Sequence, residues 1–144
     1  MSTTLTIPAK LIPDLRESLF SLMGDASEEI ERTLTHPDRE LNPEWFEKER
    51  KQLEDVFALL DLTGWPADGE SREVEVDLRR FGLSLKEALE SFLPLIEGEL
   101  EEADANDEYR ASKGKPPRKA EIIGRLAAFR EFMPLVEHRM AEIE

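Results

Sequence analysis

Apolar residues recur along this chain at two spacings, and each change of spacing marks a boundary between elements. From Thr3 to Ile7 polar and apolar residues alternate, with Leu5 and Ile7 on one side, which predicts a short strand. Val74, Val76 and Leu78, separated by Glu75 and Asp77, repeat that alternation after the turn-rich PADGES at 66–71. Between these runs the period lengthens. Leu15, Leu19, Leu22, Ala26, Ile30 and Leu34 advance in steps of three and four, the stripe of an amphipathic helix that ends near Thr35 in the polar loop THPDRELN. A second helix is predicted with Asn42 as its cap and Pro43 at its first position, running through Phe46, Leu53, Val56 and Leu60 to a stop at Gly64. These two form a helical hairpin.

The second half of the chain repeats the order. A helix follows the second strand through Leu85, Leu89, Phe92, Ile96, Leu100 and Ala103, then a loop at ASKGKPP, then a helix through Ile122, Leu126, Phe129, Met133, Val136, Met140 and Ile143. DLRESL at Asp14–Leu19 and SLKEAL at Ser84–Leu89 both read as capping boxes, so helix starts are expected at Asp14 and Ser84. The expected fold is therefore mainly α: a four-helix bundle of two helical hairpins with a small two-stranded β ribbon. A single domain over 1–144 is expected, built from βαα pseudo-repeats at 1–65 and 70–144.

FLPLIE at 92–97 and FMPLVE at 132–137 place a proline inside each helix of the second hairpin. A proline there removes a hydrogen bond and costs on the order of 3 kcal/mol. With the hairpin centred on Gly114, Pro94 and Pro134 are expected at one level, bending both helices together, and Gly24 aligns with Pro94 in the first half. Glu97 and Glu137 are then expected at matched levels too, as candidates for a shared carboxylate site.

Composition narrows the function classes. The chain has 144 residues and a formal net charge of -14, so nucleic acid and anionic membranes are not expected as partners. There is no cysteine, which removes disulfides, thiolate metal sites and cysteine nucleophiles and fits a reducing cytoplasm. The N-terminal MSTTLTIPAK has no basic stretch leading into an apolar one, and no apolar run approaches the 18 or so residues of a membrane span. A soluble cytoplasmic protein is expected.

The acidic run EGELEEADANDE sets Glu97, Glu101, Asp104 and Glu108 on one stripe, where like charges at helical spacing each cost about 0.2–0.5 kcal/mol. Arg118 and Arg125 are the expected partners of Asp104 and Glu101 on the facing helix. The sharper reading is a divalent cation held by Glu97, Glu101, Asp104 or Glu137, although no calcium-loop pattern accompanies them. The histidines add little: His36 precedes a proline, and His138 pairs only with Glu142 four residues on. Pairs such as Glu28/Glu31 and Glu44/Glu47 faintly resemble the carboxylate sets of helical magnesium-dependent nucleotide hydrolases, but 33 acids in 144 residues produce such pairs by chance. No phosphate loop, nucleophile elbow or zinc motif is present, and no cofactor is implied.

RASKGKPPRK at 110–119 carries five cations and no acid, so Lys113, Lys115, Arg118 and Lys119 are candidate contacts for an acidic partner or a phosphate. Large apolar side chains are also in surplus on the second helix, where Phe57 and Leu59 leave the Phe46, Leu53, Val56, Leu60 face, which predicts a homodimer through that helix. The expected function is a non-enzymatic protein-interaction or regulatory module. The competing expectation is a metal-dependent hydrolase using helix carboxylates.

Overall fold

A computed structural model describes residues 3–35, 43–64 and 72–143. The chain is mainly helical, with a two-stranded antiparallel sheet: β1 (Thr4–Ile7), a 3₁₀ turn at Ala9–Leu11, α1 (Ile12–Thr35), α2 (Pro43–Leu62), β2 (Val74–Asp77), α3 (Leu78–Glu101), α4 (Ala103–Ser112) and α5 (Lys119–Ile143). Asn42, His36 and the PADGES turn lie outside the described residues. No helix among those described is long and apolar enough to cross a membrane.

The ribbon forms as the alternation predicts. Leu5 pairs with Val76 and Ile7 with Val74, so all four apolar side chains share one face, with Ile7 and Val76 fully buried. A lone two-stranded ribbon is marginal in water, and here the helices support it. Arg139 of α5 donates to the Thr4 carbonyl at 3.3 Å.

Both helix starts differ from expectation. Leu78 is not the last strand residue but the first of α3, because the Asp77 carboxylate accepts the Arg79 amide at 3.1 Å and lets strand pass directly into helix. The Asp77 side chain also accepts from Thr3 Oγ1 at 2.9 Å, tying the cap to the ribbon. Ser84 therefore lies inside α3 and is buried, not a cap. In the first half, Pro8 opens the 3₁₀ turn, which leads into α1 at Ile12, and Asp14 is buried within that helix. A capping-box pattern also occurs inside helices, and the true cap was concealed in the preceding strand.

The core is one apolar cluster that draws on the ribbon and on α1, α2, α3, α4 and α5, with Phe129, Leu15, Leu19, Leu59, Leu85 and Ile96 among its fully buried side chains. Each such burial stabilises the fold by about 1.5–3 kcal/mol. Leu59 belongs to this core, contrary to the surplus expected on α2, while Phe57 remains 45% exposed. At the α1–α3 contact, Ser18 Oγ donates to the Ala88 carbonyl at 2.6 Å, and these two small side chains let the backbones approach. Residues 11–20 and 81–90 show the same order of buried, half-buried and exposed positions.

The second hairpin departs from its expected register. Gly82 meets Met140, Phe92 stacks near Phe129 with ring centroids 5.7 Å apart, Glu99 meets Arg125 and Asp104 meets Lys119. In this register Pro94 lies opposite the neighbourhood of Ala128, and Pro134 sits about six residues, or roughly 9 Å, further along the axis. The prolines are thus staggered, and both are exposed. The reason lies in the loop. Gly114 turns the chain at φ 71°, and residues 115–118 return without helical structure. An extended residue covers about 3.3 Å against 1.5 Å for a helical one, so the return leg runs past more α4 residues than it contains.

Candidate functional site

Four residues of the acidic and basic segments anchor this hairpin. The Asp107 carboxylate on α4 accepts the Arg118 amide at 2.8 Å and the Lys119 amide at 3.1 Å, capping α5 from another helix. Lys119 Nζ bonds Asp104 at 2.8 Å, and that bond, with the attraction of the carboxylate, raises the Lys119 pKa. Arg118 turns to Glu121 in the first turn of α5 at 3.4 Å, Lys113 lies over the Tyr109 ring at 5.7 Å, and Lys115 is exposed. Arg110 closes the loop by donating to the Pro116 carbonyl at 2.8 Å.

The carboxylates behave differently from expectation. Asp104 is held by Lys119, not by Arg118 or Arg125, because the extended return leg shifts every cation along the helix. Arg125 instead reaches α1, where its Nη2 and Nε bond the two carboxylate oxygens of Asp14 at 2.7 and 2.9 Å. Its Nη1 bonds Glu99 at 3.2 Å. Asp14 is 6% exposed, so this forked pair fixes α5 against α1 from within. The hydrogen bonds to Asp14 raise the Arg125 pKa.

Glu97 lies near the level of Arg125, while Glu137 falls about 12 residues, roughly 18 Å, further along the axis. Glu97 is half-buried, Glu101 and Glu137 are exposed, and the structure does not gather the four candidate carboxylates at one point. Among the described residues no group of three or more histidine or acidic side chains is arranged to hold a metal ion. His138 pairs with Glu142 at 3.0 Å.

A concave feature lies elsewhere. A cleft of about 850 Å³ opens over the first three turns of α3, walled by α2 on one side and by the end of α5 on the other. Its floor carries Arg79, Leu83, Lys86 and Glu90 at steps of four, three and four, one stripe of α3. The α2 wall presents Lys48, Lys51, Gln52 and Asp55, and the α5 wall presents Met140 and Ile143. Leu83 is 75% exposed, the most exposed large apolar side chain among the described residues. Five cations and three carboxylates line this cleft, on a chain whose overall charge is -14.

Its walls are fixed and some of its cations are uncommitted. Gln52 donates to Glu87 at 2.7 Å, Arg80 lies 3.8 Å from Asp55 and 4.6 Å from the Phe81 ring centre, and Lys86 is 3.8 Å from Glu90. On the other wall Gly82 admits Met140: a Cβ at Gly82 would stand 3.1 Å from the methionine sulfur. Lys48, Lys51 and Arg79 make no ion pair among the described residues. Sequence reasoning passed over this site because EKERKQLED and LRRFGLSLKEALE each mix charges, and only the tertiary fold gathers the cations. One signal was available: Leu83 leaves the Leu85, Leu89, Phe92 face.

Compared with protein-family models, curated proteins and solved structures, the chain finds no match.

Proposed function

We propose that the protein is a non-enzymatic interaction module, and that the cleft between α2, α3 and α5 is its docking surface. The observation that carries this reading is Leu83, a large apolar side chain 75% exposed on the floor of a cleft whose walls are braced by Gln52–Glu87 and Met140–Gly82 contacts. Clefts with an apolar bed and a few polar groups on their walls are the usual setting for recognition. Regulation would follow from what docks there. The competing metal-dependent hydrolase needs several carboxylates or histidines converging on one ion, and among the described residues no such group is present to support it.

The architecture that presents the cleft is read as one domain over 1–144, in which α3 and α4 count as a single bent helix of a four-helix bundle. Degenerate βαα repeats are supported by the shared burial order of residues 11–20 and 81–90 and by the paired strands. A homodimer through α2 is the assembly element of the proposal, supported by the exposure of Phe57 and Leu62 at 45% and 48%. The absence of cysteine supports a reducing compartment such as the cytoplasm.

Selecting an unbiased displayed-peptide library against the wild-type protein and the Leu83→Glu variant tests the docking role. Enriched peptides that bind the wild type and not the variant support it. Enrichment of no peptide, or of peptides indifferent to Leu83, contradicts it.

A further inference from the structure

We infer that the cleft receives an acidic amphipathic helix of a partner protein, about three turns long, with its apolar stripe on Leu83, Met140 and Ile143. The inference rests on the docking role proposed above and names the occupant.

Length comes first. From Arg79 to Glu90 the floor spans 11 helical steps, about 16 Å, which three turns of helix match. A helix set between two helical walls also completes a packing that α2 and α5 leave open over α3, and laying an apolar face into such a groove is a recurrent mode of recognition.

Charge then selects the sign. Lys48 and Lys51 stand on one wall and Arg79 on the floor without ion pairs of their own among the described residues. Carboxylates flanking an apolar stripe would meet them, and cations would be repelled. The chain carries a net charge of -14, so an acidic segment must be steered by local groups of cations such as the five that line this cleft. The apolar side chains distinguish a helix from a bare phosphate, which would leave Leu83 on the floor and Met140 and Ile143 on the α5 wall wet. The chain's own acidic stretch is a poor occupant: α4 buries Ala103, and Tyr109 is its one large exposed apolar group.

The test uses three fluorescein-labelled peptides of about four turns. They share one leucine stripe and carry Glu, Gln or Lys at the flanking positions. Fluorescence anisotropy on the intact protein should rank them Glu, Gln, Lys, with at least about tenfold between Glu and Gln at low salt and a smaller ratio at high salt. The exposed Lys51→Glu/Arg79→Glu double variant, shown by circular dichroism to be folded, should reverse the ranking in favour of the Lys peptide. Leu83→Ala should weaken the Glu peptide without changing the order.

Equal binding of the three peptides, or Glu-peptide binding that ignores the double variant, overturns the inference. Failure of all three while the display selection yields Leu83-dependent peptides overturns the acidic helix and leaves the docking role standing. Failure in both experiments removes the docking role itself. A doubling of mass that the double variant abolishes would assign the cleft to a second copy and equally overturn the inference.

Discussion

Arg125 shows how much one side chain can carry. It bonds both oxygens of Asp14, a carboxylate 6% exposed, and so joins elements 111 residues apart in sequence. Breaking a buried pair from one side strands the other charge and costs about 3–5 kcal/mol. Arg125→Ala is therefore expected to lower the thermal midpoint by on the order of 10 °C, with little salt dependence, in a calorimetric scan. Replacing both partners together, Asp14→Leu with Arg125→Met, should recover most of that loss, since no unpaired charge remains. Asp107 works on a smaller scale. Asp107→Ala removes the shared acceptor of the Arg118 and Lys119 amides and should cost about 1 kcal/mol by denaturant unfolding. Neither role could be read from local sequence, because each partner lies on another element.

The helices themselves were legible, as were the end of α1 at Thr35 and the start of α2 at Pro43, but the starts of α1 and α3 and the register of the second hairpin were not. Periodicity in steps of three and four located α1, α2, α3 and α5 because buried stripes determine it, and alternation located both strands. The boundary at Leu78 failed because a strand running straight into a helix leaves no loop signal, and that at Ile12 because a 3₁₀ turn at Ala9–Leu11 leads into α1 ahead of the capping-box pattern. The hairpin register failed because a count of residues treats the extended segment 115–118 as though it were helical. The close contact of α3 and α5 makes its own prediction. Gly82→Ala gains helix propensity but presses on Met140, so its effect should improve by about 0.5–1 kcal/mol when Met140 is also Ala.

The Lys119–Asp104 pair across α4 and α5 should add a small alkaline dependence. Its pKa is raised on folding, so the contribution is complete below the usual lysine value of about 10.4 and is lost as pH rises through the higher folded value. The difference in melting point between wild type and Lys119→Met should hold through neutral pH and close as pH rises through the raised Lys119 pKa. A difference growing with pH would contradict that sign. Because the pair is solvent-exposed, the whole effect should shrink in high salt.

At the scale of the molecule, a chain of net charge -14 carries a cleft where cations outnumber acids and an apolar side chain stands exposed. The cleft escaped the sequence because its walls come from residues 48–55, 78–90 and 140–143, which only the packing of α2 and α5 on α3 brings together. Leu83 contributes little to the core, so Leu83→Glu should leave stability within about 0.5 kcal/mol of wild type while removing docking. The most direct measurement is a titration of isotope-labelled protein with a peptide recovered by display, following backbone amide resonances. The account predicts shifts concentrated at Lys48–Asp55, Leu78–Glu90 and Met140–Ile143 and absent in the Leu83→Glu variant; shifts centred on the 113–118 loop or the outer face of α1, or unchanged by that variant, would contradict it.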